Sequence, residues 1–225
     1  MGPLNDGTLV GVERRGPIEL ARAAQRAGVR DERLLTAIVE LPRVGFVPEE
    51  YGTSADVDRP VPIPHEQVTT QPSLVAQMVD ALALSTDDTV LEIGTGYGWQ
   101  TSLLARLAAE VWSIERFADL SDTARANLDA HGVANAHVVV GDGTLGLPDH
   151  APYDAIIVAA AFPEVPRPLI DQLAEGGRLV QPIGRGGSED VVLFTKREGA
   201  PVSVRVLTGA RFVRLVGALG FPEEL

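Results

Sequence analysis

The chain has 225 residues, 45% of them hydrophobic, enough to bury the core of one α/β domain with a small appendage. Its formal net charge of −12 argues against a phosphate-backbone partner, and no basic cluster is longer than the pair Arg14-Arg15. The absence of cysteine excludes disulfides, thiolate metal sites and cysteine nucleophiles, and no apolar run reaches the roughly 18 residues of a membrane helix. The N-terminus lacks a basic-then-apolar export pattern, so a cytoplasmic protein without membrane or nucleic-acid partners is expected.

Residues 1–15 are polar and aperiodic and are expected to be loose. A helix is predicted over about 17–28 and another after Asp31, a suitable N-cap. In the second, Leu34, Leu35, Ile38 and Val39 form one stripe, and Pro42 ends it. Residues 43–71 are proline-rich with little periodicity and read as an extended loop. Pro72 suits a first helical position, and Leu74, Val75, Met78, Val79 and Leu82 give that helix its apolar face.

From Thr89 the pattern alternates. Strands are predicted at Thr89–Ile93, Glu110–Glu115, Ala136–Val140, 154–160 and 177–182, with helices over 99–109, 118–130 and 166–174. Segments 191–196 and 202–207 are β-rich with no helix between them, which predicts an antiparallel hairpin at the sheet edge. The expected fold is α/β and Rossmann-like, with a mostly parallel sheet. An N-terminal helical and loop extension over 1–88 supplies a substrate loop, and a cofactor-binding unit spans 89–225.

The strongest local signal is Glu92-Ile93-Gly94-Thr95-Gly96-Tyr97-Gly98, a buried strand that ends in glycines and opens a helix. Glu115 closes the next strand about 20 residues on, where a carboxylate accepts hydrogen bonds from both ribose hydroxyls of a nucleoside. The spacing G-x-G-x-G, followed by Trp99, departs from the G-x-G-x-x-G of pyrophosphate binders. The acidic Glu92 suits a cationic cofactor, and S-adenosylmethionine meets both conditions. Gly141-Asp142-Gly143, after the third strand, is the expected adenine position. Asp154 reads as a structural cap, Trp99 and Tyr97 as packing or lid residues. The four histidines show no metal-ligand spacing, so no metal site is expected.

At these residues the chain resembles the protein-L-isoaspartate O-methyltransferase family, from about Asp31 to Val216. The resemblance rests on Phe46-Val47-Pro48, Asp58-Arg59-Pro60 with Pro62-Ile63, Gln71-Pro72, the run Leu91 to Gly96, and Ser113-Ile114-Glu115-Arg116. It continues through Gly141-Asp142-Gly143, Ala151-Pro152-Tyr153-Asp154, Gln172-Leu173 with Gly176-Gly177, and Arg211-Phe212-Val213. It implies methyl transfer from S-adenosylmethionine to the free α-carboxylate of isoaspartyl residues in damaged proteins and peptides, leaving S-adenosylhomocysteine. It also implies cofactor contacts from Glu92, Gly94, Thr95, Gly96, Gly98, Glu115, Arg116, Asp142 and Gly143.

Family members carry a G-x-G-Q-T-I-S-Q-P loop whose serine lies at the substrate carboxylate. Here the loop reads Pro64-His65-Glu66-Gln67-Val68-Thr69-Thr70-Gln71-Pro72, so both glycines are replaced and Thr70 stands at the serine position. Thr70 is therefore the expected catalytic residue, with Thr69, Gln71, His65 and Arg211 as substrate contacts. Two other functions fit the altered loop: a carboxyl methyltransferase for a dedicated peptide or small acid, and a nucleoside-binding module without catalysis.

Overall fold

The computed structural model describes residues 15–223, so the expectation for residues 1–14 lies outside the described part. Two helices, α1 (Arg15–Arg26) and α2 (Glu32–Glu40), open the fold, and the Asp31 carboxylate accepts from Arg33 N to cap α2. Pro72 begins α3 (Pro72–Ala81), as its fixed φ favours. Then follow β3 (Thr89–Ile93), α4 (Trp99–Ala105), β4 (Glu110–Glu115), α5 (Ala118–Ala130), β5 (Ala136–Val140) and β6 (Tyr153–Val158). The chain ends in α6 (Arg167–Gln172), β7 (Leu173–Ile183), β8 (Glu189–Arg197) and β9 (Ala200–Ala210).

The main sheet runs β5-β4-β3-β6-β7-β8-β9, parallel from β5 to β7 and antiparallel from β7 to β9. Strand order reverses between β3 and β6, and it is at the carboxyl ends flanking such a switch point that a parallel sheet opens a crevice. Neighbouring residues on the central strands serve opposite faces. Val90, Ala155 and Ile157 join a core with Leu34, Ile38, Met78, Leu82 and Leu104. Leu91, Ile156 and Val158 join one with Leu169, Leu173 and Leu179. The period-2 alternation thus buries both faces, which is why these strands read as continuous apolar runs. Asp154 acts as a cap, its carboxylate accepting from Thr89 N at 2.9 Å.

The expected loop over 43–71 is more structured than its prolines suggest. It holds two 3-10 turns (Arg43–Phe46 and Glu49–Ser54) and an antiparallel hairpin of β1 (Val61–Ile63) and β2 (Gln67–Thr69). Val61 and Ile63 point inward while Pro62 points out, an alternation too short to register in sequence. Helix α4 stops at Ala105, short of 109, and Asn135 Nδ2 takes the released carbonyls of Ala105, Ala108 and Ala109. The helix expected over 166–174 ends at Gln172, because Leu173 turns extended and enters β7.

The first helices are tied to the sheet by Trp99, whose indole is 6% exposed and donates from Nε1 to Leu41 O at 3.2 Å. Trp99→Phe keeps an aromatic ring but orphans that carbonyl and leaves unfilled volume. A loss of about 1–3 kcal/mol in urea unfolding is expected, with the slope unchanged.

Candidate active site

The site begins where β3 leaves the sheet. Gly94, Gly96 and Gly98 hold φ of 96°, 56° and 90°, a left-handed path that side-chain-bearing residues rarely take. This turn brings backbone to the carboxyl end of the sheet. Gly94 N donates to Ile114 O, and Gly96 N donates to Glu115 Oε2 at 2.9 Å. Glu115 Oε1 accepts from Phe117 N at 3.2 Å. A carboxylate has about four lone-pair directions, so Glu115 keeps acceptor capacity for two further donors such as ribose hydroxyls.

A cleft opens beside this turn. It is lined by Gly94, Thr95, Gly96, Gly98, Glu115, Arg116 and Gly143, with Ile63, Val68, Ile93, Ile114 and Leu120 as apolar wall. Gly143 is required by close approach: a Cβ there would stand 2.3 Å from Ile93 Cγ2. One carboxylate facing the cleft, apolar walls for a base and exposed backbone at the turn form a donor and acceptor set that fits a nucleoside with a cationic tail.

Glu92 and Asp142, expected to touch the cofactor, are placed differently. Glu92 is fully buried beneath the turn, where it accepts from Gln100 Nε2 (2.9 Å), Thr101 Oγ1 (2.5 Å) and Ser113 Oγ (2.6 Å). Ser113 Oγ in turn meets Thr95 Oγ1 at 2.5 Å. A strand residue just before the turn points down into the helix–sheet layer, so Glu92 braces the turn from below and does not line the cleft. Burial pushes its carboxyl up to about 7 although the three hydrogen bonds pull the other way. The Asp142 carboxylate accepts from Thr144 N (2.8 Å) and Ala218 N (2.7 Å), pinning the C-terminal turn. Burial would raise its pKa, but these hydrogen bonds outweigh it and hold the group below its usual value.

A second cavity adjoins the cleft. Its wall includes Pro60, Gln71, Ser73, Gln77, Thr208 and Arg211, and it shares Val68, Thr70, Ala159 and Val213 with the cleft. Thr70 thus stands at the junction. Gln71 lines this cavity but also donates from Nε2 to Asp58 and Ser73, and Arg211 donates from Nε to Gly187 O.

His65 lines neither space. It turns away, stacking on Phe117 at 4.1 Å between centroids and meeting Asp119 at 2.8 Å, and that contact holds the Asp119 carboxyl below its usual value. The reason is backbone: His65 and Glu66 form the tip of the β1–β2 hairpin with φ of 61° and 57°. Two non-glycine residues in left-handed conformation cost of order 1–3 kcal/mol each, and the Phe117 and Asp119 contacts help hold the tip down.

Sequence reasoning missed three contributors. Arg43 is 1% exposed yet lines the cleft, and the signal was an arginine set between Leu41 and Phe46 in an otherwise apolar run. Arg214 lines the cleft beside Val213, with its guanidinium 5.3 Å from the Phe221 ring centroid. The Thr101–Ser113 support of Glu92 is invisible to spacing because it joins two elements.

A model of the family described as "Protein-L-isoaspartate(D-aspartate) O-methyltransferase (PCMT)" matches residues 17–220. The protein-L-isoaspartate O-methyltransferase of Methanoculleus marisnigri is 51% identical over 198 residues, covering 88% of this chain and 90% of its own. That of Methanoregula boonei is 46% identical over 209 residues, covering 93% and 95%. A solved protein-L-isoaspartate O-methyltransferase superimposes with a TM-score of 0.78 at 30% identity, covering 91% of this chain and 67% of that one. A Plasmodium falciparum structure, a putative protein-L-isoaspartate O-methyltransferase in complex with S-adenosyl-L-homocysteine, shares the fold. Its TM-score is 0.73 at 22% identity, covering 88% of this chain and 97% of that one.

The raised Glu92 pKa sets a pH dependence. The folded state binds this proton more tightly than the unfolded chain, so the advantage is complete below about 4.5 and lost as pH rises to about 7. Relative to Glu92→Gln, the wild type should therefore lose of order 3 kcal/mol of stability across that window. Paired urea titrations from pH 4.5 to 8 read this difference directly.

Proposed function

The chain belongs to the protein-L-isoaspartate(D-aspartate) O-methyltransferase family, and on that premise we propose how its own residues divide the work. It is an S-adenosylmethionine-dependent carboxyl O-methyltransferase acting on isoaspartyl residues, a protein-repair enzyme. When bound, S-adenosylmethionine supplies a methyl group on a cationic sulfur, with S-adenosylhomocysteine as product. The turn at Gly94, Thr95, Gly96 and Gly98 would cradle the cofactor, Glu115 would accept from its ribose, and Arg116 and Gly143 would hold its base. The 64–70 loop belongs to the 1–88 extension and the glycine turn to the 89–225 unit, and the cleft draws its wall from both. Among the described residues no helix is long and apolar enough to cross a membrane. The substrates on this reading are isoaspartyl polypeptides in the cytoplasm, where a chain without cysteine loses nothing to reducing conditions.

The observation that carries the assignment is the position of Thr70 between the cofactor cleft and the second cavity. An isoaspartyl residue carries its free carboxylate directly on Cα, and at a pKa of roughly 3.5 it is ionised at neutral pH. No general base is required, so the residues need only aim one oxygen and exclude water. Thr70 donates its hydroxyl to the carboxylate, while Val68, Ala159 and Val213 keep the junction apolar. Charge on both partners vanishes as the new bond forms. A neutral hydroxyl therefore serves better than a fixed ion pair, which would hold the ground state more tightly than the transition state.

Thr70→Val keeps the shape and removes the hydroxyl. Turnover on an isoaspartyl peptide should fall by roughly 10- to 100-fold, with cofactor affinity unchanged and most of the loss restored in Thr70→Ser. Full turnover in Thr70→Val would place the acceptor carboxylate elsewhere.

A further inference from the structure

Arg43 is the largest fully buried side chain of the described residues, and nothing in the roles assigned so far uses it. Burial pulls its pKa down to about 10 against the opposing pull of Asp58 and Asp56, so the charge persists at neutral pH. A charge in such a place must be satisfied by many acceptors, and these acceptors show what it holds. Nη1 donates to the carbonyls of Ala55 (3.1 Å), Val57 (3.3 Å) and Arg59 (3.2 Å). Nη2 donates to Thr69 Oγ1 (2.7 Å) and to Thr70 O (3.4 Å). One guanidinium thus joins the 55–59 loop to the two residues that end the β1–β2 hairpin.

Thr69 completes the link. Its Oγ1 also accepts from Val61 N at 3.2 Å, so both lone pairs are taken by groups of the protein. Thr69, expected to contact substrate, does line the cleft, and with its oxygen committed to Arg43 and β1 only its hydroxyl proton is left to donate. We propose that Arg43, acting through Thr69 Oγ1 and the Thr70 carbonyl, is the positioning residue that fixes the Thr70 hydroxyl at the junction of the two cavities. The planar fork matters as much as the charge, because it reaches the 55–59 carbonyls from one nitrogen and Thr69–Thr70 from the other. A lysine in its place keeps the charge and offers a single donor centre. The inference rests on Thr70 being the acceptor-side residue of isoaspartyl methyl transfer.

The test uses the full chain with S-adenosylmethionine and an isoaspartyl peptide, and compares Arg43→Lys, Thr69→Val, Thr69→Ser and the double variant Arg43→Lys/Thr69→Val. If Arg43 positions Thr70, kcat falls by about 10-fold or more in Thr69→Val and Arg43→Lys, while cofactor Kd and peptide KM shift by no more than about 3-fold. Thr69→Ser, which keeps the oxygen, restores most of the Thr69→Val loss. The double variant is no slower than the slower single one, because both break the same strut. Multiplying losses, a cofactor Kd that weakens in step with kcat, or wild-type kcat in Thr69→Val would each overturn the proposal. Thermal melts accompany each variant, and if Arg43→Lys does not fold, the Thr69 pair decides alone. Failure of the wild type itself to methylate the peptide would overturn the functional reading instead, so the two failures are distinguishable.

Discussion

The left-handed path through Gly94, Gly96 and Gly98 is the constraint on which the rest of the site depends. A chain leaving a buried parallel strand in ordinary conformations would lay side chains over the sheet edge and fill the crevice at the switch point. Here the backbone itself forms the floor, and Gly96 N reaches across to the carboxylate that ends β4. Such a turn is held from both sides. Glu115 grips it from the rim, and the Thr101–Glu92–Ser113–Thr95 chain of hydrogen bonds braces it from below. The Gly143 backbone, pressed against Ile93, closes the far wall.

Besides Glu115 on the rim, the structure places two ionisable groups almost wholly out of water around this cleft, Glu92 beneath the turn and Arg43 behind the hairpin. Each burial costs several kcal/mol before compensation, so neither is a stability device by itself. Both are satisfied by groups drawn from separate segments: Glu92 from α4 and β4, Arg43 from the 55–59 loop and β2. What the molecule gains is geometry, because moving any one segment strands a buried polar group. The overall charge of −12 bears on the substrate side. A net acidic protein cannot attract a carboxylate by its general field, so any pull on an anion must come from groups in the cavity walls, such as Thr70 and Arg211.

Much of the fold was legible because the central strands bury both faces. Thr89–Ile93, Glu110–Glu115 and Ala136–Val140 stand where apolar runs and following turn residues put them, and the edge hairpin follows from two β-rich segments with no helix between. Helix ends were less legible, since α4 and α6 stop where tertiary partners take over: Asn135 for the first, pairing with β6 for the second. The glycine turn and Glu115 could be read because they are contiguous or regularly spaced. Acidic residues beside a glycine turn look alike in sequence whether they face the cleft or the protein, so the interior position of Glu92 and the Thr144 and Ala218 contacts of Asp142 could not be read there. Residue order gives no direction for a side chain at a strand end. Arg43 escaped for a related reason: its partners lie 12 to 27 positions away, joined only once the hairpin has formed.

Methyl transfer from labelled S-adenosylmethionine to a matched pair of peptides, one isoaspartyl and one with ordinary aspartate at the same position, tests the assignment most directly. The two differ only in whether the carboxylate sits on Cα or one carbon further out. Rapid, base-labile labelling of the isoaspartyl peptide alone is the expected result. Equal labelling of both peptides, or labelling of neither by protein that binds the cofactor, would contradict it.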